Sequence, residues 1–201
     1  MALRLITAPI VEPISLVEAK AHLRVDHDEE DDLITLLIMA ARSYVDGKDG
    51  WLGRALVTQT WELVIDEFPA AEIKIPLPPL QEVISIKYDD SEGVEQTLAT
   101  DQYFVDNVSE PGWVVPVTSW PTPIVGVNAV RIRYDCGYPG SNDSPSELAD
   151  NVPSSIKAAM LLTIGSLYAN RETVIVGNVA AKLPWGAEQL LRDYRVQIGI
   201  A

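Results

Sequence analysis

Apolar residues recur at three- and four-residue steps in two stretches of the chain, which is the spacing of one face of an α-helix. The first stretch begins at Asp28 and ends before Gly47, and its apolar face holds Leu33, Ile34, Leu37, Ile38, Ala41, Tyr44 and Val45. The second follows Pro153, a residue suited to a first helical turn, and its apolar face holds Ile156, Ala159, Met160, Thr163, Ile164 and Leu167. The pattern predicts two long helices that each need a helical partner.

Shorter helices are predicted beside these two. Ser15 followed by Glu18 fits a capping box and predicts a short helix that ends near Val25. Near the other end of the chain, "TVIVGNVAAKLP" predicts a β-rich hairpin or arm, and "WGAEQLLRDYRVQ" predicts a last helix.

Between the long helices the apolar period changes to two, which is typical of strands. The predicted strands are "VTQTWELVIDEF", "EIKIPL", "VISIKYDD", "EQTLA", "QYFVDN", "GWVVPV" and "NAVRIRYDCGYPG". Prolines interrupt them repeatedly, and "SEG" at 91–93 suits a hairpin turn. Frequent prolines favour short edge strands in an antiparallel, loop-rich sheet.

Together these patterns predict an α+β fold, a small helical bundle that carries an inserted antiparallel β lobe. The bundle has two long helices and shorter flanking ones. We predict a single domain over 1–201, with a helical base at about 15–56 and 152–197 and a β insertion at about 57–140.

The composition of the chain disfavours some classes of function. The formal charge of −14 disfavours a dedicated DNA-binding role, because phosphate contacts normally supply much of the affinity for DNA. A single cysteine, Cys136, cannot form an internal disulfide, which favours an intracellular origin. We find no convincing signal peptide or membrane-spanning run and expect a soluble protein with no membrane partner.

One acidic stretch, "RVDHDEEDDLITLL", raises the question of a metal or an acid/base site. Counted from Asp26, an EF-hand would need glycine and glutamate where Asp31 and Leu37 stand, and no HExxH spacing joins His22 and His27. Carboxylates in a first helical turn face the positive end of the helix dipole. We therefore predict a helix start with a solvated acidic face, and neither a metal site nor a cofactor.

Catalytic motifs are not evident in the sequence. We find no GxSxG elbow, no GxGxxG loop and no GxxxxGK[ST] loop. Cys136, in "YDCGYPG", is predicted to be a buried or turn residue and not a nucleophile. We therefore predict that the chain is not an enzyme and has no catalytic residues.

Four segments carry a family resemblance: "EAKAHLRVD", "AARSYVDGKDGWLGRAL", "IKAAMLLTIGSLYANRE" and "LPWGAEQLLRDYR". In this order they resemble the head-tail connector, or adaptor, proteins of long-tailed bacteriophages, whose relatives also occur in prophages and gene transfer particles. The segment between them matches in its short strands and in "PLPPLQEVISIKY". The resemblance covers most of the chain, although the long β lobe departs from the smaller connectors.

The resemblance implies a structural protein of the virion or phage-like particle, synthesised in the bacterial cytoplasm. It implies a ring, expected to be a homo-dodecamer, that docks on the portal protein and extends the DNA channel toward the tail. The implied partners are the portal, neighbouring copies, a tail-side completion or stopper protein, and DNA that passes without specific binding. No catalytic residue or cofactor is implied.

We predict that the apolar arm and the last helix, about 172–194, contact the portal and neighbouring copies, because exposed apolar stretches often mark partner sites. The residues predicted for these contacts are Val174, Ile175, Val176, Val179, Trp185, Leu190 and Tyr194. Trp185 and Leu190 are the candidate anchors. The alternative is that the arm folds back as a hairpin on its own core.

Two other classes of function stay open. Exposed, coplanar Trp113 and Trp120 would favour a carbohydrate-binding or tail-accessory module built on the β lobe. An acid-dependent hydrolase that uses the carboxylates of "DHDEEDD" would need a carboxyl with a strongly raised pKa in a cleft.

Overall fold

The computed structural model of the chain describes residues 1–141, 147–170, 174–175, 178–179 and 185–196. Within these residues the helices are α1 (Leu16–Leu23), α2 (Asp31–Val45), α3 (Ser154–Ala169) and α4 (Trp185–Leu191). A short 3-10 turn, Arg192–Tyr194, follows α4. From α1 onward, the predicted order of short helix, long helix, strands, long helix, arm and last helix is confirmed.

The strands of the described chain form two antiparallel sheets and a hairpin. The five-stranded sheet has the order β1-β2-β8-β4-β5, formed by Ala2–Thr7, Gln59–Ile65, Val130–Cys136, Leu80–Asp89 and Glu95–Thr97. The three-stranded sheet has the order β3-β7-β6, formed by Ile73–Ile75, Gly112–Pro116 and Tyr103–Asp106. The hairpin pairs β9 (Val174–Ile175) with β10 (Asn178–Val179). The predicted α+β class is confirmed.

Local signals set the starts of the helices. The Glu18 amide donates to the Ser15 hydroxyl at 3.2 Å, and the Glu18 carboxylate accepts from the Ser15 amide at 2.8 Å, so the predicted capping box is present. Arg24 ends α1 in the left-handed conformation. Pro153 lies one position before the predicted first turn, because it is the N-cap of α3.

The first strand was not predicted. Residues 2–7 lie outside the range expected for the β lobe, yet β1 pairs along β2, with Leu3 opposite Leu63 and Arg4 opposite Glu62. Leu3 packs on the lobe core, while Arg4 and Arg133 both donate to the buried Glu62 on the other face of the sheet. The chain therefore enters the lobe before it builds the helical base.

Two hydrophobic cores result. The core of the base is formed by residues of all four helices, among them Ala19, Ile34, Ile38, Ala41, Ile156, Met160, Ile164, Ala187 and Leu191. The core of the lobe lies between the two sheets and includes Leu63, Ile73, Ile75, Ile86, Val114, Ile132 and Tyr134. Alternate residues of β8 are buried, which explains why its period-two pattern was readable.

The described chain contains no helix with both the length and the apolar character needed to cross a bilayer.

Candidate functional site

The acidic stretch at the start of α2 makes contacts within the chain. Asp31 lies in the first turn, as predicted, and Lys20 of α1 pairs with Asp28 at 2.6 Å and with Asp31 at 2.7 Å. Its hydrogen bond to Asp28 raises the pKa of Lys20 and lowers that of Asp28. The N-cap Glu30 makes no capping bond with its side chain, which accepts from the Tyr168 hydroxyl of α3. These carboxylates join helices to one another.

A metal or thiol site receives no support from this geometry. Among the residues that the structure describes, no three His, Cys, Asp or Glu side chains are grouped to hold a metal ion. Cys136 is fully buried, and its thiol faces the Gln59 carbonyl at 3.7 Å. Burial raises the pKa of Cys136 well above its ordinary value, so the thiol stays protonated at neutral pH.

The tryptophans predicted for a sugar platform are both half-buried. Trp120 stacks on Phe68 with ring centroids 5.0 Å apart and an interplanar angle of 7°. Its indole nitrogen donates to the Ala71 carbonyl. Because Phe68 covers one face of Trp120, the ring is used to hold a loop in place, and nothing here favours the carbohydrate-binding alternative.

The residues predicted for partner contacts fall into two groups. Val174, Ile175 and Val179 are brought together by the β9–β10 hairpin, in which Val179 pairs with Val174. Val176 lies outside the described residues. Trp185 begins α4.

The second group lies against the chain's own helical core. Ala187 and Leu191 of α4 are fully buried, and Leu190 and Tyr194 pack beside them while keeping part of their surface accessible. The last helix is therefore seated on the base. The alternative given for the arm, a hairpin folded back on its own core, stays a prediction.

The turn between α2 and β2 contains a residue that sequence reasoning missed. Arg54 is only 4% exposed, and its guanidinium donates to the Glu110 carboxylate at 2.8 Å, to the Tyr138 hydroxyl at 2.6 Å and to the Tyr194 carbonyl at 2.7 Å. Its partners come from the β6–β7 turn, the segment that follows β8 and the C-terminal 3-10 turn. Nearby, the Val196 amide donates to the Leu52 carbonyl at 2.8 Å. One cation thus connects the lobe, the base and the C-terminal segment.

A buried carboxylate lies at the same junction. Asp46, directly after α2, accepts from the Leu56 amide at 2.9 Å and from the Gln59 side-chain amide at 3.1 Å. Arg42 approaches it at 3.4 Å. Burial raises the pKa of Asp46, although these partners oppose the shift. Asp46 and Arg54 therefore make the junction between the two cores polar.

In the described residues, the paired acids, the buried thiol and the buried charged groups all make their contacts within the fold. Comparison with known proteins adds a similarity to one family. Residues 13–109 match the family model of phage gp6-like head-tail connector proteins. A search of curated proteins found no significant match.

Solved structures share the fold over nearly the whole chain. A chain of the neck of an empty gene transfer agent particle, computed with sixfold symmetry, matches with a TM-score of 0.76 and 20% identity, covering 98% of this chain and 96% of that one. A chain of the native particle's virion matches with a TM-score of 0.76 and 21% identity, and one from its neck, computed with twelvefold symmetry, with 0.69 and 19%, at the same coverage. Residues 13–109 are therefore similar to head-tail connector proteins, and nearly the whole chain shares the fold of these particle chains.

Proposed function

We propose that this protein is the head-tail connector of a tailed phage or phage-like particle, docking as a ring of identical copies on the portal and extending the DNA channel toward the tail. The ring is expected to contain twelve copies. Its partners are the portal protein, neighbouring copies and a tail-side completion protein, and its location is the head-tail interface of the particle.

The observation that carries the proposal is the match of nearly the whole fold to chains from particle necks. Those necks were computed with sixfold and twelvefold symmetry. The family match over 13–109 supports the same role independently of the full-length fold. A rigid base in which four helices share one core suits a ring subunit, because closure requires a fixed rotation between neighbours.

We assign portal docking to the C-terminal segment that carries Val174, Ile175, Val176, Val179 and Trp185. Leu190 and Tyr194 support this segment from the base, since both pack on the helical core. Arg54 holds the end of the segment through the Tyr194 carbonyl. The segment is thus fixed at its helix, while the hairpin supplies the apolar contacts.

DNA is proposed to pass through the ring without specific binding. Each copy carries a formal charge of −14, so a ring of copies repels phosphate and gains no affinity from counterion release. Lysines introduced on the channel wall should slow DNA ejection from the particle. Ejection at an unchanged rate would remove the support for this part of the proposal.

Deletion of the gene in the organism that makes the particle tests the function. Deletion should leave DNA-filled heads that lack tails, and the wild-type gene should restore tailed particles. A variant with Val174→Ser, Ile175→Thr and Val179→Ser should fold but fail to restore them. Val17→Ser, which changes an exposed apolar residue of α1, is the matched control and should restore them fully. If particles made without the gene still carried tails, or still infected cells or transferred DNA, the proposal would be overturned.

A further inference from the structure

The β lobe exposes apolar side chains within a segment that carries no charge. Residues 111–130 form the longest stretch of the chain without a charged residue. Most of this stretch is the lobe-tip loop, residues 117–129 between β7 and β8. Val125 is fully exposed and Val127 is 81% exposed. Exposed apolar patches often mark sites where a protein binds a partner.

The base of this loop is firmly held. The Ile124 amide donates to the Asp89 carbonyl at 2.8 Å, and the Asn128 amide donates to the Asp66 carboxylate at 2.8 Å. Trp120 is stacked on Phe68. Val125 and Val127 therefore project from a fixed frame, which lowers the entropy cost of binding a partner.

A second uncharged apolar surface lies on the helical base. Helix α2 has no charged residue over 33–41. Its buried stripe faces the core, yet on the opposite side Leu36 is 61% exposed and Met39 is 46% exposed. These two residues are one turn apart and form the α2 outer face with Ala40 and Ser43, which are also exposed. A surface helix normally carries polar residues on that side.

We infer that the lobe-tip loop of one copy docks on the α2 outer face of the next copy in the ring. The inference rests on the proposed function, since it describes how that ring closes. A head-to-tail ring needs two different patches on each chain. Copies that each carry −14 repel one another, so their contact is favoured where both patches are uncharged.

The positions of the two patches point to a second copy as the occupant. The α2 outer face belongs to the base and the lobe-tip loop to the lobe, and both remain exposed in the folded chain. Each copy can therefore offer its loop to one neighbour and its helix face to the other. The inference also gives the β lobe a role, as the element that reaches the next subunit.

Cross-linking between single-cysteine variants tests this directly. Leu36→Cys copies are mixed with Val125→Cys copies, assembled on the portal ring and treated with a short bismaleimide. Cys136 is buried and stays unmodified. The mixture should give a covalent dimer, and the double variant a ladder of multimers. Val17→Cys mixed with Val125→Cys is the matched control, since Val17 is 77% exposed on α1, and should give neither.

The outcomes separate the inference from the function on which it rests. A ring on the portal without the dimer, or with as much dimer in the control, would overturn the inference and leave the connector function standing. Failure of every variant and of the wild type to add to an intact portal would overturn both. As a second readout, Leu36→Asp should weaken ring addition roughly tenfold, and Val125→Lys should restore part of the loss. Wild-type assembly by Leu36→Asp would also overturn the inference.

Discussion

The helical base and the β lobe are each built around a buried apolar core, but their sequences specify them differently. The base comes from local patterns, in which Ser15 and Glu18 cap α1 and Ile34 and Ile38 lie one turn apart on α2. The lobe comes from pairings between distant segments, such as β1 with β2 and β2 with β8. The difference shows that the base can be recognised from sequence alone, whereas the lobe needs the whole chain to close its sheet.

The two regions meet through polar groups. Arg54 and Asp46 bridge them with charged hydrogen bonds, and the base and lobe cores have no buried residue in common. Such a junction fixes orientation more than it adds stability, because burying ions costs desolvation energy. In the proposed ring, the angle between the two regions decides whether neighbouring copies meet correctly. We therefore expect the cores to unfold together and the junction to set their geometry.

The largest losses of unfolding free energy should come from truncating one buried isoleucine in either core. Ile132 of the lobe and Ile156 of the base are both fully buried, and replacement of either by alanine should cost about 3–4 kcal/mol of unfolding free energy. Hydrogen exchange, measured separately for α3 and β8, should show reduced protection in both regions for either variant. Loss of protection confined to the mutated region would show that the cores are independent units.

Removal of the Arg54 guanidinium from the junction should lower the unfolding free energy nearly as much as truncation of a core isoleucine. Arg54→Met leaves the Tyr194 carbonyl, the Tyr138 hydroxyl and Glu110 without their shared donor, and we expect a loss of about 3 kcal/mol in urea unfolding. Glu110→Gln is the control and should cost less than about 1 kcal/mol, because Glu110 is 43% exposed. A stability of Arg54→Met equal to that of the wild type would contradict the assignment of Arg54 as the junction.

The pH dependence of the unfolding free energy should reflect the titration of the Asp46 carboxyl. Burial raises its pKa in the folded state, whereas in the unfolded state the carboxyl ionises near pH 4, at about its ordinary value. The folded state binds this proton more tightly, so its stability falls as pH rises above about 4 and through the raised pKa. In Asp46→Asn that loss is absent. The difference in unfolding free energy should therefore move in favour of the variant as pH rises from about 4 through the raised pKa of Asp46. Parallel curves for the two proteins would contradict this.

The smallest predicted effect concerns a local signal of the base. Ser15→Ala removes the hydroxyl that accepts from the Glu18 amide, and it should cost about 1 kcal/mol. Ser43→Ala, at an exposed position within α2, is the matched control and should change stability by less than about 0.5 kcal/mol. If thermal unfolding showed the same loss of stability for Ser15→Ala and Ser43→Ala, the capping box would contribute no more than an exposed serine within the helix does.

The sequence predicted those elements whose signals are local. The capping box, the long apolar faces and the alternation along β8 were readable, and so was the turn at 91–93, where Gly93 has a φ of +78°. Strand β1 was missed because it is recognisable only beside β2, where Leu3 meets the lobe core and Arg4 meets Glu62. No pattern within residues 2–7 indicates that pairing.

The proposed contact surfaces were predictable only in part. The apolar arm was visible as a run of apolar residues, but Leu190 and Tyr194 turned out to pack on the base, a contact set by tertiary structure. Arg54 gave no signal, because its partners lie 56, 84 and 140 positions away. The lobe-tip loop could have been found by looking for long stretches without charge in an acidic chain.

The connector assignment is tested most directly by native mass spectrometry of the purified chain mixed with the portal ring of its own particle. The account predicts one added ring of copies for each portal, with twelve expected, and its loss in the variant with Val174→Ser, Ile175→Thr and Val179→Ser. An intact portal that takes up no copies of the wild-type chain would contradict the account.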